Sequence, residues 1–272
     1  MIHSSAFNMI YISRPMLHTH VKEQVMSVRH MKYWFISPKH KISVRHINQD
    51  RTISEDFILS KENRENCIAK LRSMKPIRLH DKEPARKAAV LVPLCVVNNE
   101  LSLLYTLRSS DMKNYRSQVS FPGGIQDKTD ANLEETAIRE TFEELGIQRY
   151  QINIWGHGNF FGTRQKNMAV MPFIGYIGEL SLQDLRLNRK EVESVFTVPL
   201  KHLIKPDNFK YTQFRSGYVL PVFVGSEYRI WGMTAMITHF VLEALLPAGT
   251  YVHKLRYIVP YKTSLATKNK RN

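Results

Sequence analysis

The sequence predicts an α+β fold, a mixed β-sheet sandwiched between α-helices, on three observations. The block Ala88–Val97 is almost wholly apolar, as a strand covered on both faces must be. Short apolar runs separated by turn signals recur from there to Val224. Two longer stretches, Asn132–Leu145 and Met233–Leu246, place their apolar residues at the three- and four-residue spacing of helices. Strands and helices interspersed in this way build a sheet with helices packed on it.

In chain order, residues 1–50 come first and are basic: seven Lys/Arg stand against Glu23 and Asp50, and six of the eleven histidines lie there. Neither helical nor strand periodicity is sustained, and no compact apolar block follows the first charges. The segment therefore suits a mitochondrial leader better than a secretory signal, the alternative being a disordered extension of a cytoplasmic protein. The last 23 residues carry six Lys/Arg and no acid, so a basic C-terminal tail over 248–272 is expected. Much of the net charge of +15 thus sits at the two ends rather than in aromatic-interleaved basic patches of the core, and nucleic acid is not the partner expected. The chain ends Lys270-Arg271-Asn272, which does not fit a peroxisomal address of the Ser-Lys-Leu type. Cys67 and Cys95 lie in apolar segments without metal-ligand spacing and read as buried thiols. No run of 18 apolar residues is present, so no membrane span is expected.

Residues 51–86 form an N-terminal helix and linker. Ser60 is its N-cap, Ile68, Leu71 and Met74 follow at three-residue spacing, and Pro76 ends it. The main domain is expected over 87–247. Ala88–Val97 and Leu101–Thr106 read as strands joined at Asn98-Asn99, followed by strands at Val119–Phe121, Ile152–Trp155, Ala169–Ile177, Val195–Val198 and Val219–Val224.

The chemistry is concentrated in Phe121–Ile147, FPGGIQDKTDANLEETAIRETFEELGI. Asp130 is placed to cap the helix and Gly146 to end it in the left-handed conformation. At about 100° per residue, Ile138, Phe142 and Leu145 share a core-facing arc, and Glu140, Glu143 and Glu144 fall opposite. Three carboxylates at i, i+3 and i+4 repel, and near a helix C-terminus the macrodipole opposes them too. A hard divalent cation turns that cost into a binding site. A solvated acidic face is the plain alternative. Phe121-Pro122-Gly123-Gly124 favours the metal, because glycine lets the backbone come close to a ligand.

The stretch Arg139-Glu140-Thr141-Phe142-Glu143-Glu144-Leu145-Gly146-Ile147 resembles the second half of the Nudix box, R-E-U-x-E-E-x-G-U with U aliphatic, Thr141 being a departure. The general box has Gly and Glu where this chain has Ile125 and Ala131, so the loop is one residue longer. Gly123-Gly124-x-x-Asp127-x-x-Asp130 is similar instead to the GGxxDxxD loop of the coenzyme A diphosphatase branch. Leu104–Ser110 and Gln118–Gly124 resemble that branch's LLTxRSA and GQVSFPGG elements. Glu191-Val192-Glu193, Val198-Pro199-Leu200 and Ile230–Ala235 resemble its later landmarks, and Leu59–Asn63 resembles the helix ahead of the domain in its mitochondrial member. Lys113, Tyr115 and Ser117 replace Arg, His and Gly of a common form.

The resemblance implies a Nudix fold and hydrolysis of the diphosphate bond of coenzyme A or acyl-coenzyme A to 3′,5′-ADP and 4′-phosphopantetheine, with Mg²⁺ or Mn²⁺. It implies Glu140 and Glu144 as principal metal ligands, Glu143 as a third ligand or water-orienting group, and Gly124 as a carbonyl donor. It further implies Arg139 as the holder of a site carboxylate, Arg108 as a phosphate contact, and a further acid from Glu191, with Glu193 nearly as well placed. Two other readings stay open: a Nudix enzyme for ADP-ribose, NADH or capped RNA, and a non-catalytic RNA-binding module. His157 reads as structural, and Trp231 as part of the core.

Overall fold

The computed structural model describes residues 53–75, 84–112, 116–162, 168–213 and 219–255; the expected leader, Pro76, Lys113, Tyr115 and the tail beyond 255 lie outside the described residues. The chain enters through a short helix, α1 (Glu55–Leu59), and then α2 (Lys61–Ser73). Ser60 caps α2, its hydroxyl accepting the Asn63 N–H at 3.2 Å.

β1 (Arg86–Val97) organises the sheet. Val92, Leu94 and Val96 point into one core, while Ala89, Leu91 and Cys95 point into another. After the exposed Arg86 and Lys87, both faces are covered and no position is left for a polar residue, which explains the unbroken apolar run from Ala88. Asn98 and Asn99 follow with φ of 52° and 60°, the left-handed pair of a two-residue hairpin, and β2 (Glu100–Arg108) returns antiparallel.

β3 (Val119–Ser120) pairs with the end of β2, and β4 (Gly123–Ile125) crosses to the start of β1. β1 is thus paired with β4 over 88–90 and with β2 over 94–97. Pro93, which has no N–H to give, occupies the gap between those two partners. Gly123–Ile125 is not among the strands expected from the sequence.

The helix α3 (Leu133–Leu145) then covers the Leu91–Cys95 face. After it come β5 (Asn153–His157), β6 (Phe161–Gly162) and the long β7 (Met168–Glu179). β7 runs parallel to β1, and β5 and β6 pair antiparallel with β7. β8 (Val192–Pro199) pairs with β2 and is followed by a one-turn helix, α4 (Leu200–Leu203). β9 (Phe209–Gln213) and β10 (Val219–Phe223) form a separate two-stranded sheet, and α5 (Gly232–Leu245) closes the described part.

α2 and α5 pack with the Val92–Val96 face. The Asn63 amide donates to the Ile58 and Leu245 carbonyls at 3.2 and 3.1 Å, tying α2 to the end of α5. The mixed sheet therefore lies between helices, as expected. Sequence reading missed α1, α4, β4, β6 and β9, each of five residues or fewer. Runs that short give periodicity too little length to register. Among the described residues no helix is long and apolar enough to cross a membrane.

Candidate active site

The helix α3 begins at Asn132, whose side chain accepts the Glu135 N–H at 3.0 Å, so Asn132 is the cap and Asp130 is not. Gly146 ends it at φ 75°, as its spacing predicted. The buried face is Ala137, Ile138, Thr141, Glu144 and Leu145, while Phe142 is 47% exposed. The arc toward the core is thus rotated from the expected one, and it includes a carboxylate. Thr141 joins the buried face because its hydroxyl donates to the Ala137 carbonyl at 2.7 Å, leaving no unmet polar atom there.

Glu144 is 2% exposed, and its Oε2 is buried without a hydrogen-bond partner among the described residues. One turn earlier, Glu140 faces the same space. The third acid arrives from the loop before β8: ligand oxygens of Glu140, Glu144 and Glu191 all lie within 4.8 Å of one another. Backbone hydrogen bonds fix that loop to the end of α3. Arg186 N–H donates to Leu145 O and Asn188 N–H to Glu144 O, both at 3.0 Å. Glu191 N–H then donates to Asn188 O at 2.9 Å, and Ser109 N–H to Glu191 O at 2.8 Å. The following residue, Val192, is buried and Glu193 points outward, so the loop brings Glu191 to the site and leaves Glu193 on the surface.

Glu143 stands apart from the trio. It is about half exposed, and Arg139 Nη1 holds its carboxylate at 3.1 Å. Arg139 is the clamp of the site. Its Nε and Nη2 donate to the two oxygens of Asp130 at 2.8 and 2.9 Å, and Nη1 lies 3.0 Å from Glu140 Oε1. The Asp130 carboxyl also accepts from the Thr136 hydroxyl and the Asp127 N–H, both at 2.9 Å. Arg139 foremost holds it well below the usual carboxylate range. Sequence reading took Asp130 for a cap; its place nine residues before Arg139, in the lengthened loop, was the available signal.

On the other side β4 presses against the carboxylates. A Cβ on Gly124 would lie 2.4 Å from the Glu140 carboxylate, so only glycine leaves that oxygen its place. Arg108, at the end of β2, sets Nη1 3.9 Å from Glu144 Oε1, and its buried Nε has no hydrogen-bond partner among the described residues. Burial raises both acids. Glu144 is pushed up to about 8, with Glu140 and Glu191 adding to the rise and Arg108 and the Gly123 amide opposing it. Glu140 is raised by the same desolvation, with Arg139 opposing.

A buried carboxylate oxygen with no donor, facing two further carboxylates, is costly in the bare protein. An all-oxygen donor set of this kind fits a hard divalent cation. His157 is elsewhere, its Nδ1 at 2.9 Å from Gly158 O and its ring tilted against Phe173, and Trp231 precedes α5.

A family model described as the NUDIX domain matches residues 85–218. The human mitochondrial coenzyme A diphosphatase NUDT8 (Homo sapiens) is 46% identical over 173 residues, 62% of this chain and 72% of that protein. The chain belongs to the Nudix hydrolase family. The mouse NUDT8 of the same name (Mus musculus) is 42% identical over 194 residues, covering 70% and 90% of the two chains. The mouse peroxisomal coenzyme A diphosphatase NUDT7 is 32% identical over 171 residues, covering 60% and 70%. In this Nudix chain, Glu140, Glu144, Glu191, Arg139, Asp130, Arg108 and Gly124 all lie within the matched range, while α2 and α5 lie outside it.

Proposed function

We propose that this hydrolase cleaves the diphosphate bond of coenzyme A to 3′,5′-ADP and 4′-phosphopantetheine, and that of its acyl derivatives to 3′,5′-ADP and the S-acylated 4′-phosphopantetheine. The carrying observation is the convergence of Glu140, Glu144 and Glu191 beside the glycine strand, within a sequence resembling the coenzyme A diphosphatase elements. The names of its relatives agree with that reading.

Glu140 and Glu144 would hold Mg²⁺ or Mn²⁺, with a carbonyl from Gly124. Bound there, the ion supplies charge neutralisation at the reacting phosphoryl oxygens and a lowered pKa for attacking water. The chain's own groups do the rest. Arg139 keeps the Glu140 carboxylate turned into the site, and Asp130 keeps Arg139 in place. Glu191 accepts the proton of the incoming water. Glu143, at the rim, orients water entering. Arg108 offers its unpaired Nε–H to a phosphate oxygen, which satisfies a donor that is otherwise buried and unmet.

The test is hydrolysis of a panel by the purified chain with Mg²⁺ or Mn²⁺, products identified by mass. Coenzyme A should give 3′,5′-ADP and 4′-phosphopantetheine with the highest kcat/KM. A higher value for ADP-ribose, NADH or capped RNA would assign a different substrate to the same site. We also propose mitochondrial location, supported by the basic residues 1–50 and the names of the NUDT8 relatives. Residues 1–55 fused to a fluorescent reporter should enter mitochondria, and a diffuse cytosolic signal would refute it.

A further inference from the structure

At the opposite edge of the sheet from the carboxylates, α2 and β5 border an open groove of about 410 Å³. The strand order β3-β2-β1-β7-β5 puts it far from β2 and from the Glu191 loop that precedes the β2 partner β8. Lys61, Arg64, Glu65, Ile68 and Arg72 line one wall, at spacings that share a helix face, and Trp155 lines the other. Three cations against one acid leave a formal charge of +2 (3 − 1) in the groove.

A solvated basic helix face is the plain reading of such residues, and Arg64 argues against it. Its Nε donates to the Leu59 carbonyl at 2.7 Å, and its guanidinium lies over the Trp155 ring, 5.4 Å from the centroid. A guanidinium tethered at Nε and stacked on an indole is held in one orientation, with donors remaining for an anion. The Trp155 indole N–H is buried and, among the described residues, without a hydrogen-bond partner. The single acid is weakly engaged, Glu65 lying 3.9 Å from Lys61 with both side chains mostly exposed.

We propose that this groove is a second ligand site, for a soluble nucleotide or a phosphorylated aromatic molecule of that size. The positive field of Lys61, Arg64 and Arg72 holds the phosphate, and the face beside Arg64 and Trp155 supports the ring, since bases stack on guanidinium and indole planes alike. The volume lies in the range of roughly 300–1,000 Å³ usual for small-molecule sites. The site shares no residue with the carboxylate trio, and its existence does not depend on the hydrolase substrate.

The experiment is calorimetric titration of the full chain with AMP, adenosine and inorganic phosphate. Chelator removes divalent ions, and about 150 mM salt suppresses diffuse attraction to the basic protein. AMP should bind saturably with one site, and adenosine more weakly by about tenfold or more. Lys61→Glu/Arg72→Glu, at exposed positions, should weaken AMP by a similar factor, whereas Glu140→Gln should leave it unchanged. Arg64→Lys should weaken AMP more than inorganic phosphate, because it keeps the charge and loses the stack. Three results would overturn the proposal: no saturable AMP binding, loss of binding in Glu140→Gln but not in the double variant, or binding to anionic phospholipid vesicles without binding of AMP.

Discussion

A Cβ built on Gly124 would meet the Glu140 carboxylate at 2.4 Å, and one on Gly123 would meet the Ala89 carbonyl oxygen at 2.3 Å. The two adjacent glycines therefore fail differently. In Gly124→Ala the atom in the way is the end of a flexible side chain, so Glu140 swings out and the fold is kept. Turnover should drop by about 10²-fold, the usual cost of a ligand displaced by an ångström, with thermal unfolding nearly unchanged. In Gly123→Ala the obstacle is backbone and φ is 150°, so the cost falls on stability, on the order of 1–3 kcal/mol or more. Equal losses of stability in the two variants would show that Gly124 does not serve Glu140. The sequence made Gly124 legible as a close-approach residue; it could not distinguish Gly123, whose need arises from the pairing of β4 with β1.

The helix carrying the site shows where reading by pattern stops. Its span, its end and its acids were legible from Asn132–Gly146, yet its capping residue and its orientation were not, the latter because Phe142 outweighs Glu144 in any count of apolar residues. Burying Glu144 is costly; Arg108 from β2 and the Gly123 amide from β4, both outside the helix, oppose that cost, while Glu191 adds to it. The choice of Glu191 over Glu193 likewise depends on the Asn188 hydrogen bonds to the end of α3. The other long helix, α5, carries a different buried ionisable group. His239 is 4% exposed, with Nδ1 at 2.7 Å from the Tyr251 hydroxyl, and burial, with the nearby His253, pushes its pKa down from 6.5 to about 4. An unfolded His239 thus takes a proton near pH 6.5, and the folded one only near pH 4. Between those values the unfolded state binds more protons, so stability is complete above pH 6.5 and lost as pH falls through the window. The loss should be on the order of 3 kcal/mol. Denaturant titrations from pH 7 to pH 4 should show a shallower decline in His239→Gln than in wild type, and parallel declines would remove His239 from the account.

For the whole molecule, the sheet order was not legible: β1 and β7 pair in parallel across some seventy residues of sequence, and nothing local records it. What was legible, the apolar runs and two long helices, sufficed for the layer arrangement because burial on both faces leaves its mark on composition. The site draws on β2, β4, α3 and the loop before β8, so an ion held there ties together elements from both halves of the domain. Saturating Mg²⁺ or Mn²⁺ at about a hundred times Kd should add ~2.7 kcal/mol. In a domain of this size that raises Tm by roughly 5–10 °C. Glu140→Gln/Glu144→Gln should lose the shift, and an equal rise in that variant would place the ion elsewhere.

The most direct test of the central claim is turnover of coenzyme A at saturating Mg²⁺ by Glu140→Gln, Glu144→Gln and Glu191→Gln, beside Glu193→Gln. Each of the first three removes one charge of the converging trio with little change of shape, and kcat should fall by about 10²-fold or more. Glu193 is exposed and turned away from the trio, so Glu193→Gln should retain kcat within about threefold, as surface substitutions do. Near wild-type kcat in any of the first three, or a loss in Glu193→Gln matching theirs, would contradict the proposed assignment of Glu140 and Glu144 as metal ligands and Glu191 as the proton acceptor.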